Sequence, residues 1–159
     1  MIQAITQTNL TTYLQTEDNR IKTDVSSDMI RHLVKFSNDM DKSVQYAYST
    51  EHLIYDRYTK FVFDYNATPD VYTGKVNFLP SGYWKYEVYE VYWTGAVAIS
   101  AGNAPVNEND VLPVGATHGI VSGLVTKGIM NVSDSSKPAQ VQYTDYTPTA
   151  TDNYIYYGQ

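Results

Sequence analysis

Residues 79–93 constrain the fold more than any other stretch of the chain, because a turn signal precedes a long run of strand-forming residues there. Pro80, Ser81 and Gly82 supply the turn, since proline fixes φ and glycine tolerates positive φ. The aromatic and β-branched residues that follow suit a pleated, half-buried surface. We therefore predict a β-strand that runs from Tyr83 to Trp93.

The alternation of side chains along this strand predicts one core face and one mixed face, because successive residues of a strand point to opposite sides of the sheet. Lys85 and Glu87 begin the mixed face, which becomes aromatic towards Trp93. We expect the far end of the strand to be covered on both sides or offered to a partner. Four residues share the predicted core face: Trp84, Tyr86, Val88 and Tyr92.

Length and composition predict one domain with a tyrosine-rich surface. A chain of 159 residues is long enough for one well-buried core and short for two domains. Tyrosine occurs 16 times, and its ring packs like a hydrophobe while its hydroxyl needs water or a partner. The net charge of −6 argues against a nucleic-acid partner, because phosphate binding needs clustered basic residues.

Further features restrict the chemistry and the location of the protein. The chain has no cysteine, so neither disulfides nor a thiolate metal site is expected. The first ten residues lack the basic and apolar stretches of a signal peptide, and no stretch is apolar enough to span a membrane. We therefore expect a protein that is made in a cytoplasm and has no membrane partner.

Turn signals divide the remaining chain into short segments with a strand-like period of two, which is typical of an antiparallel sandwich or barrel. Residues 31–36 and 44–48 form one predicted hairpin, and residues 71–79 form a second with the strand that follows Pro80. Little helix is expected beyond one turn after Ser26 or Ser27. Other predicted strands cover residues 57–65, 119–121 and 124–132, with a bulge or bend at Lys127 and Gly128.

Three segments outside these strands are candidates for contacts with other subunits. Residues 1–16 and 143–159 are predicted to be extended arms, and residues 94–119 form a long loop rich in glycine, alanine and asparagine. We expect this loop to be mobile until a partner surface orders it. The predicted partner contacts are Tyr13, Leu14, Gly95, Asn103, Tyr154, Ile155, Tyr156 and Tyr157.

The sequence shows no pattern that specifies catalytic, cofactor-binding or metal-binding residues. His32, His52 and His118 are far apart in sequence and form none of the usual metal-binding motifs. Glu87 and Glu90 would lie on opposite faces of one strand. The pair Asp39 and Asp41 resembles part of a calcium loop, but the required glycine and closing glutamate are missing, so a plain turn is predicted. We expect a protein that is not an enzyme.

A resemblance to a known family is carried by TYLQTED at 12–18, LVKFSNDM at 33–40, RYTKF at 57–61, GYWKYEVYE at 82–90 and VTKGIMNV at 125–132, together with the Tyr-rich end. These five segments and the Tyr-rich end resemble a group of small virion proteins of tailed phages that infect Bacteroidetes, including the crAss-like phages. This resemblance implies an all-β domain, Ig-like or jelly-roll-like, that is used as a structural part in many copies.

The resemblance predicts a non-enzymatic component of the virion. The leading expectation is a capsid auxiliary protein that stabilises the shell, and the alternative in that class is a ring protein of the head-to-tail connector. Its partners would be the major capsid protein or connector subunits and other copies of itself. A different class also stays open, a carbohydrate-binding β-sandwich that stacks sugars on Tyr89, Tyr92 and Trp93.

Overall fold

The computed structural model describes residues 1–136, and these residues form a β-sandwich as the sequence predicts. Two short 3-10 turns, Glu17–Asn19 and Ser27–Met29, are the only helical elements in this range, which confirms the expected low helix content. The predicted C-terminal arm, residues 143–159, lies outside the described residues. The strands are β1 (Ile2–Ile5), β2 (Leu10–Leu14), β3 (Ile30–Asn38), β4 (Val44–Tyr48), β5 (Glu51–Ile54), β6 (Thr59–Tyr65), β7 (Lys75–Val76), β8 (Gly82–Tyr92) and β9 (Ile120–Ser133).

The larger of the two sheets has the order β1-β9-β8-β3-β4. Its central strand is β8, the strand predicted from residues 79–93, and it pairs antiparallel with both β3 and β9. The predicted hairpin of β3 and β4 is confirmed, with Val34 opposite Ala47. We call this the large sheet.

The small sheet has the order β2-β6-β5, and β7 also pairs with β6. Most pairings in both sheets are antiparallel, but β1 runs parallel to β9 and β7 runs parallel to β6. The antiparallel sandwich predicted from the sequence is therefore confirmed, with two short parallel pairings added to it.

The main core lies between the two sheets and confirms the predicted inward faces of β6 and of the first half of β8. Phe61 and Phe63 of the small sheet are fully buried, as are Trp84 and Val88 of the large sheet. Tyr86 is partly buried against the same core, opposite Gly128 of β9. Side chains from both sheets thus fill one continuous apolar layer, which makes the two sheets a single packed unit.

The N-terminal segment corrects one expectation, because residues 1–16 belong to the sandwich itself. β1 extends the large sheet beside β9, and β2 lies at the edge of the small sheet beside β6. Ala4, Leu10 and Leu14 are buried in the main core. The strict alternation of buried and exposed residues in β2 explains this placement, since one of its faces is apolar enough to close the core.

Two predictions about strand pairing are wrong. Residues 71–79 do not form a hairpin with β8, because their short strand β7 pairs with β6 while Phe78 turns into the core. The irregularities of β9 fall opposite Val88/Tyr89 and Glu90/Val91 of β8 rather than at Lys127 and Gly128. Gly123 has the positive φ that this irregular stretch requires.

A second core covers the outer face of the large sheet at the far end of β8. Leu33, Tyr48, Val91 and Trp93 are buried there beneath residues of the long loop, including Ala104. The prediction that this end of the strand is covered on both sides is confirmed. The loop contains no strand or helix, and several of its residues pack on the sheet. Its expected mobility in the free protein stays a prediction.

Glu90 fixes the segment that precedes β3 to the end of the large sheet. Its side chain is fully buried, and its two carboxylate oxygens accept hydrogen bonds from the backbone N–H groups of Ile21 (3.0 Å) and Lys22 (2.8 Å). Hydrogen bonds to a charged acceptor are worth more than neutral ones, and a buried donor that loses its acceptor is costly.

Replacing Glu90 with alanine should therefore lower the free energy of unfolding by about 2 kcal/mol, because two backbone donors lose their acceptor. Urea denaturation would measure the change. The control is Glu17→Ala, in the same segment but without such bonds to β8. Equal stability of the two variants would contradict a supporting role for Glu90.

Candidate interaction surface

The outer face of the small sheet exposes large apolar side chains instead of the polar ones typical of a solvated face. Alternation along β2 and β5 directs Tyr13 and Leu53 outward, and both are about half exposed. Lys60 of β6 lies between them in the sheet, since it is paired with Tyr13 on one side and with Leu53 on the other. These three residues form one row across the three strands.

The hairpin that joins β5 to β6 extends this row with two more tyrosines. Tyr55 donates its backbone N–H to the carbonyl oxygen of Tyr58 at 2.8 Å, which closes the turn. The Tyr58 ring meets the Tyr13 ring edge to face with centroids 5.3 Å apart, and it lies 4.9 Å from the Tyr55 ring. We call Tyr13, Leu53, Tyr55 and Tyr58 the tyrosine surface.

Charged groups border the tyrosine surface. Lys60 Nζ lies 2.6 Å from a carboxylate oxygen of Glu51, and this hydrogen bond raises the pKa of Lys60. Asp56 and Arg57 at the tip of the hairpin are exposed and line a shallow depression with Tyr55 and Tyr58. Exposed aromatic anchors inside a polar rim are the arrangement that dominates binding energy at protein interfaces.

The adjoining strand β2 offers backbone groups as well as side chains. Within the described residues β2 pairs only with β6, so its other side is an unpaired sheet edge. An edge of this kind can accept an additional strand from a partner through main-chain hydrogen bonds. Tyr13 therefore stands at a place where a partner can contact both the edge and the aromatic rings.

The predicted partner contacts have different positions in the structure, and only some of them are exposed. Tyr13 is exposed, but Leu14 is buried in the main core and its prediction as a surface contact is wrong. Gly95 and Asn103 serve the fold of the long loop, because Gly95 N–H donates to Ala116 and the Asn103 carbonyl accepts from Gly119. The remaining candidates, Tyr154, Ile155, Tyr156 and Tyr157, lie outside the described residues.

A polar cluster on the large sheet holds the long loop in place. Lys35 Nζ lies 2.6 Å from Glu108 and 3.6 Å from Glu87. The hydroxyl of Tyr46 donates to Glu108 at 2.6 Å, and that of Tyr89 donates to Glu87 at 2.8 Å.

Burial and these bonds fix the protonation of the cluster. They raise the pKa of Tyr46 and of Tyr89 to about 12, and the hydrogen bond with Glu108 raises the pKa of Lys35 above its usual range. Groups held in one protonation state across the neutral range are suited to support rather than to proton transfer.

Three further predictions from the sequence can be compared with the structure. Glu87 and Glu90 do lie on opposite faces, since Glu87 joins the outer cluster while Glu90 is buried at the other face. Asp41 forms a turn by accepting the backbone N–H of Ser43, as predicted. The expected sugar platform is wrong, because Trp93 is completely buried and Tyr89 is half-buried.

Sequence reasoning missed the contact between two of the three histidines. His32 Nδ1 lies 2.7 Å from His52 Nε2, although the residues are 20 positions apart. Both side chains point inward from different sheets, a proximity that depends on how the sheets pack. The inward alternation of His32 with Val34 and Phe36 in β3 was the available signal for its burial.

No protein-family model, curated protein or solved structure matches the chain. Among residues 1–136, no group of three or more His, Cys, Asp or Glu side chains is placed to hold a metal ion. The same part of the chain contains no helix long and apolar enough to cross a membrane.

Proposed function

We propose that the protein is a non-enzymatic structural component of a phage virion, a capsid auxiliary protein that binds the assembled shell and stabilises it. The observation that carries this proposal is the tyrosine surface, where Tyr13, Tyr55 and Tyr58 stay exposed in contact with one another. Rings ordered by mutual contact lose little entropy on binding, so they are efficient anchors for a protein partner.

The rest of the sandwich supports such a role. The main core joins the two sheets, and the second core fixes the long loop to the large sheet. Because both faces of the large sheet are packed, the domain presents the tyrosine surface and the β2 edge in a fixed relative position. A neighbouring subunit that contacts both features gains aromatic packing and main-chain hydrogen bonds together.

A second candidate function is recognition of a neutral glycan, and the same three tyrosines favour it. Exposed aromatic rings can stack on sugars, and Asp56 and Arg57 beside them offer hydrogen-bond acceptors and donors. These residues replace the platform expected around Trp93. Binding of the purified protein to a glycan array would favour this function over a role confined to the shell.

Replacing Tyr13 and Tyr58 with serine should weaken binding to the shell by at least about 30-fold, since a central aromatic anchor contributes about 2 kcal/mol or more. Shells of the same phage, prepared without this protein, are mixed with each variant and sedimented to measure binding. The variant should retain most of its stability, because both rings are substantially exposed.

Tyr83→Ser is the matched control, since Tyr83 is 58 % exposed like Tyr13 but lies in the large sheet. It should bind like the parent. Equal weakening by Tyr83→Ser, or full binding by the Tyr13 and Tyr58 variant, would show that the tyrosine surface is not the contact. If the parent does not bind shells at all, the proposed function itself fails.

A further inference from the structure

The contact between His32 and His52 joins the two sheets at the end of the sandwich next to the tyrosine surface. His32 is a buried residue of β3 in the large sheet, and His52 belongs to the edge strand β5 of the small sheet. Their ring nitrogens are 2.7 Å apart, and both rings also contact Phe61 edge to face. Strand β5 is thus attached to the large sheet through a polar contact.

This hydrogen bond requires one ring nitrogen to donate and the other to accept. A neutral imidazole has one donor and one acceptor nitrogen, whereas a protonated ring has two donors. If both His32 and His52 are protonated, two N–H groups and two positive charges face each other across 2.7 Å. Acid therefore removes the bond and replaces it with repulsion.

The charged groups around the pair favour the neutral state. Arg31 precedes His32 in β3 and Arg20 lies in the segment before that strand; both disfavour a positive charge on His32, and Arg31 also disfavours one on His52. Glu90 of β8 is paired with His32 in the sheet, but its oxygens accept the N–H groups of Ile21 and Lys22. Lys22 itself lies near Asp24 and over the Tyr92 ring.

The neighbouring strands of the small sheet add no charge that would hold a protonated pair. Lys60 of β6 and Glu51 of β5 pair with each other, on the outer side of the sheet. The inward residues of β6 beside the pair are Thr59, whose hydroxyl lies 2.8 Å from that of Thr16, and Phe61.

We propose that His32 and His52 form an acid-sensitive clasp, which fastens β5 to the large sheet at neutral pH and releases it on acidification. The hairpin with Tyr55 and Tyr58 directly follows β5, so release also changes the tyrosine surface. Only this second consequence rests on the proposed function. The clasp itself is a property of the free domain.

The sign of the pH dependence follows from the pKa values. Burial lowers the pKa of His52 to about 4, helped by Arg31, and burial together with His52 lowers the pKa of His32 well below its usual range. A released strand returns His52 towards its ordinary pKa of about 6.5, so the open state takes up protons more readily. Closure is therefore favoured above pH 6.5 and is lost as the pH falls towards 4.

Hydrogen exchange of the complete protein without any partner tests the clasp. For His52 alone, the two pKa values imply that opening of β5 becomes about 20-fold more frequent between pH 7 and pH 5. After correction for the intrinsic pH dependence of exchange, amides of Glu51–Ile54 should show this increase and those of β9 should not. An unchanged or uniform response would overturn the proposal.

The double variant His32→Phe and His52→Phe should abolish the selective response, because two apolar rings beside Phe61 do not titrate. The control is His118→Gln, which removes a histidine from the long loop and should leave the response unchanged. A full response in the double variant would assign it to carboxylates and overturn the proposal.

NMR titration of the parent protein provides a test that does not depend on the variants folding. The proposal expects both ring signals to stay those of neutral imidazole down to pH 5 in the closed domain. Titration of either ring near pH 6.5 without faster exchange in β5 would overturn it. Since neither measurement uses a shell or a glycan, failure here is distinct from failure of the proposed function.

Discussion

Replacing Trp84 with alanine is expected to lower the free energy of unfolding by about 3–5 kcal/mol, a large part of what a domain of this size has. The side chain is fully buried in the main core, where its ring meets Phe78 edge to face at 5.6 Å. Its indole N–H donates to the carbonyl oxygen of Pro80 at 3.0 Å. The substitution therefore leaves a cavity and removes one of the two donors to the Pro80 carbonyl, the other being Asn38 Nδ2.

Urea denaturation of the variant beside Tyr83→Ala would measure this effect. Tyr83 is the neighbouring aromatic residue of β8 but points to the outer face and is exposed, so its loss should cost well under 1 kcal/mol. Similar losses in the two variants would mean that the strand does not present Trp84 to the core. A shift in the urea midpoint without a change in slope would indicate that the compact native state is retained.

The strands that the sequence predicted best are those with a strict period of two and one apolar face. β3, β6 and β8 were located within a few residues, and the inward positions of Phe61, Phe63 and Trp84 followed from alternation alone. One face of each strand is closed against the other sheet, so register and pattern are tightly coupled there. Local sequence was sufficient to locate these strands, because the packing of the two sheets requires the same alternation of apolar and polar residues.

Pairing partners depended on contacts that local sequence does not contain. The turn at Pro80–Gly82 suggested that residues 71–79 would pair with β8, but both sides of β8 are occupied by the longer strands β3 and β9. These long ladders bury more surface than a pairing with the two-residue β7 could. Competition between distant strands therefore decided the topology.

The candidate site was predictable only in part, for the same physical reason. Tyr13 was identified from its apolar character in a terminal segment, whereas Leu53, Tyr55 and Tyr58 become one surface with it only when β2 and β5 flank β6. Leu14 shares the apolar character of Tyr13 but has the opposite parity in β2, which sends it into the core. The tyrosine-rich composition indicated that such a surface exists. Which residues belong to it depends on the direction in which each side chain points from its strand and on which strands are neighbours in the sheet.

The long loop gives the second prediction with a large expected effect. Its packing depends on Trp93, which is completely buried, touches the loop at Gly119 and donates its indole N–H to the Thr117 carbonyl at 3.1 Å. The backbone at Gly119 approaches the ring so closely that an added Cβ would lie 2.7 Å from it. Trp93→Ala should destabilise the native structure, in which the loop is packed on the large sheet, by about 3–5 kcal/mol.

Most of that loss should appear as local release of the loop, because the main core between the sheets contains no part of it. In the parent, hydrogen exchange across residues 96–110 should be slow at bonded amides such as those of Asn103 and Ala104, and in Trp93→Ala it should approach the rate of an unfolded chain. Amides of β8 that lie over the main core should stay protected from exchange.

Val114→Ala is the matched control, since Val114 lies in the same loop but is 99 % exposed, and hydrogen exchange in this variant should equal that of the parent. If Trp93→Ala instead accelerates exchange equally in the loop and in both sheets, the second core and the main core unfold as one unit, and the loop is as much a part of the cooperative domain as β8 itself.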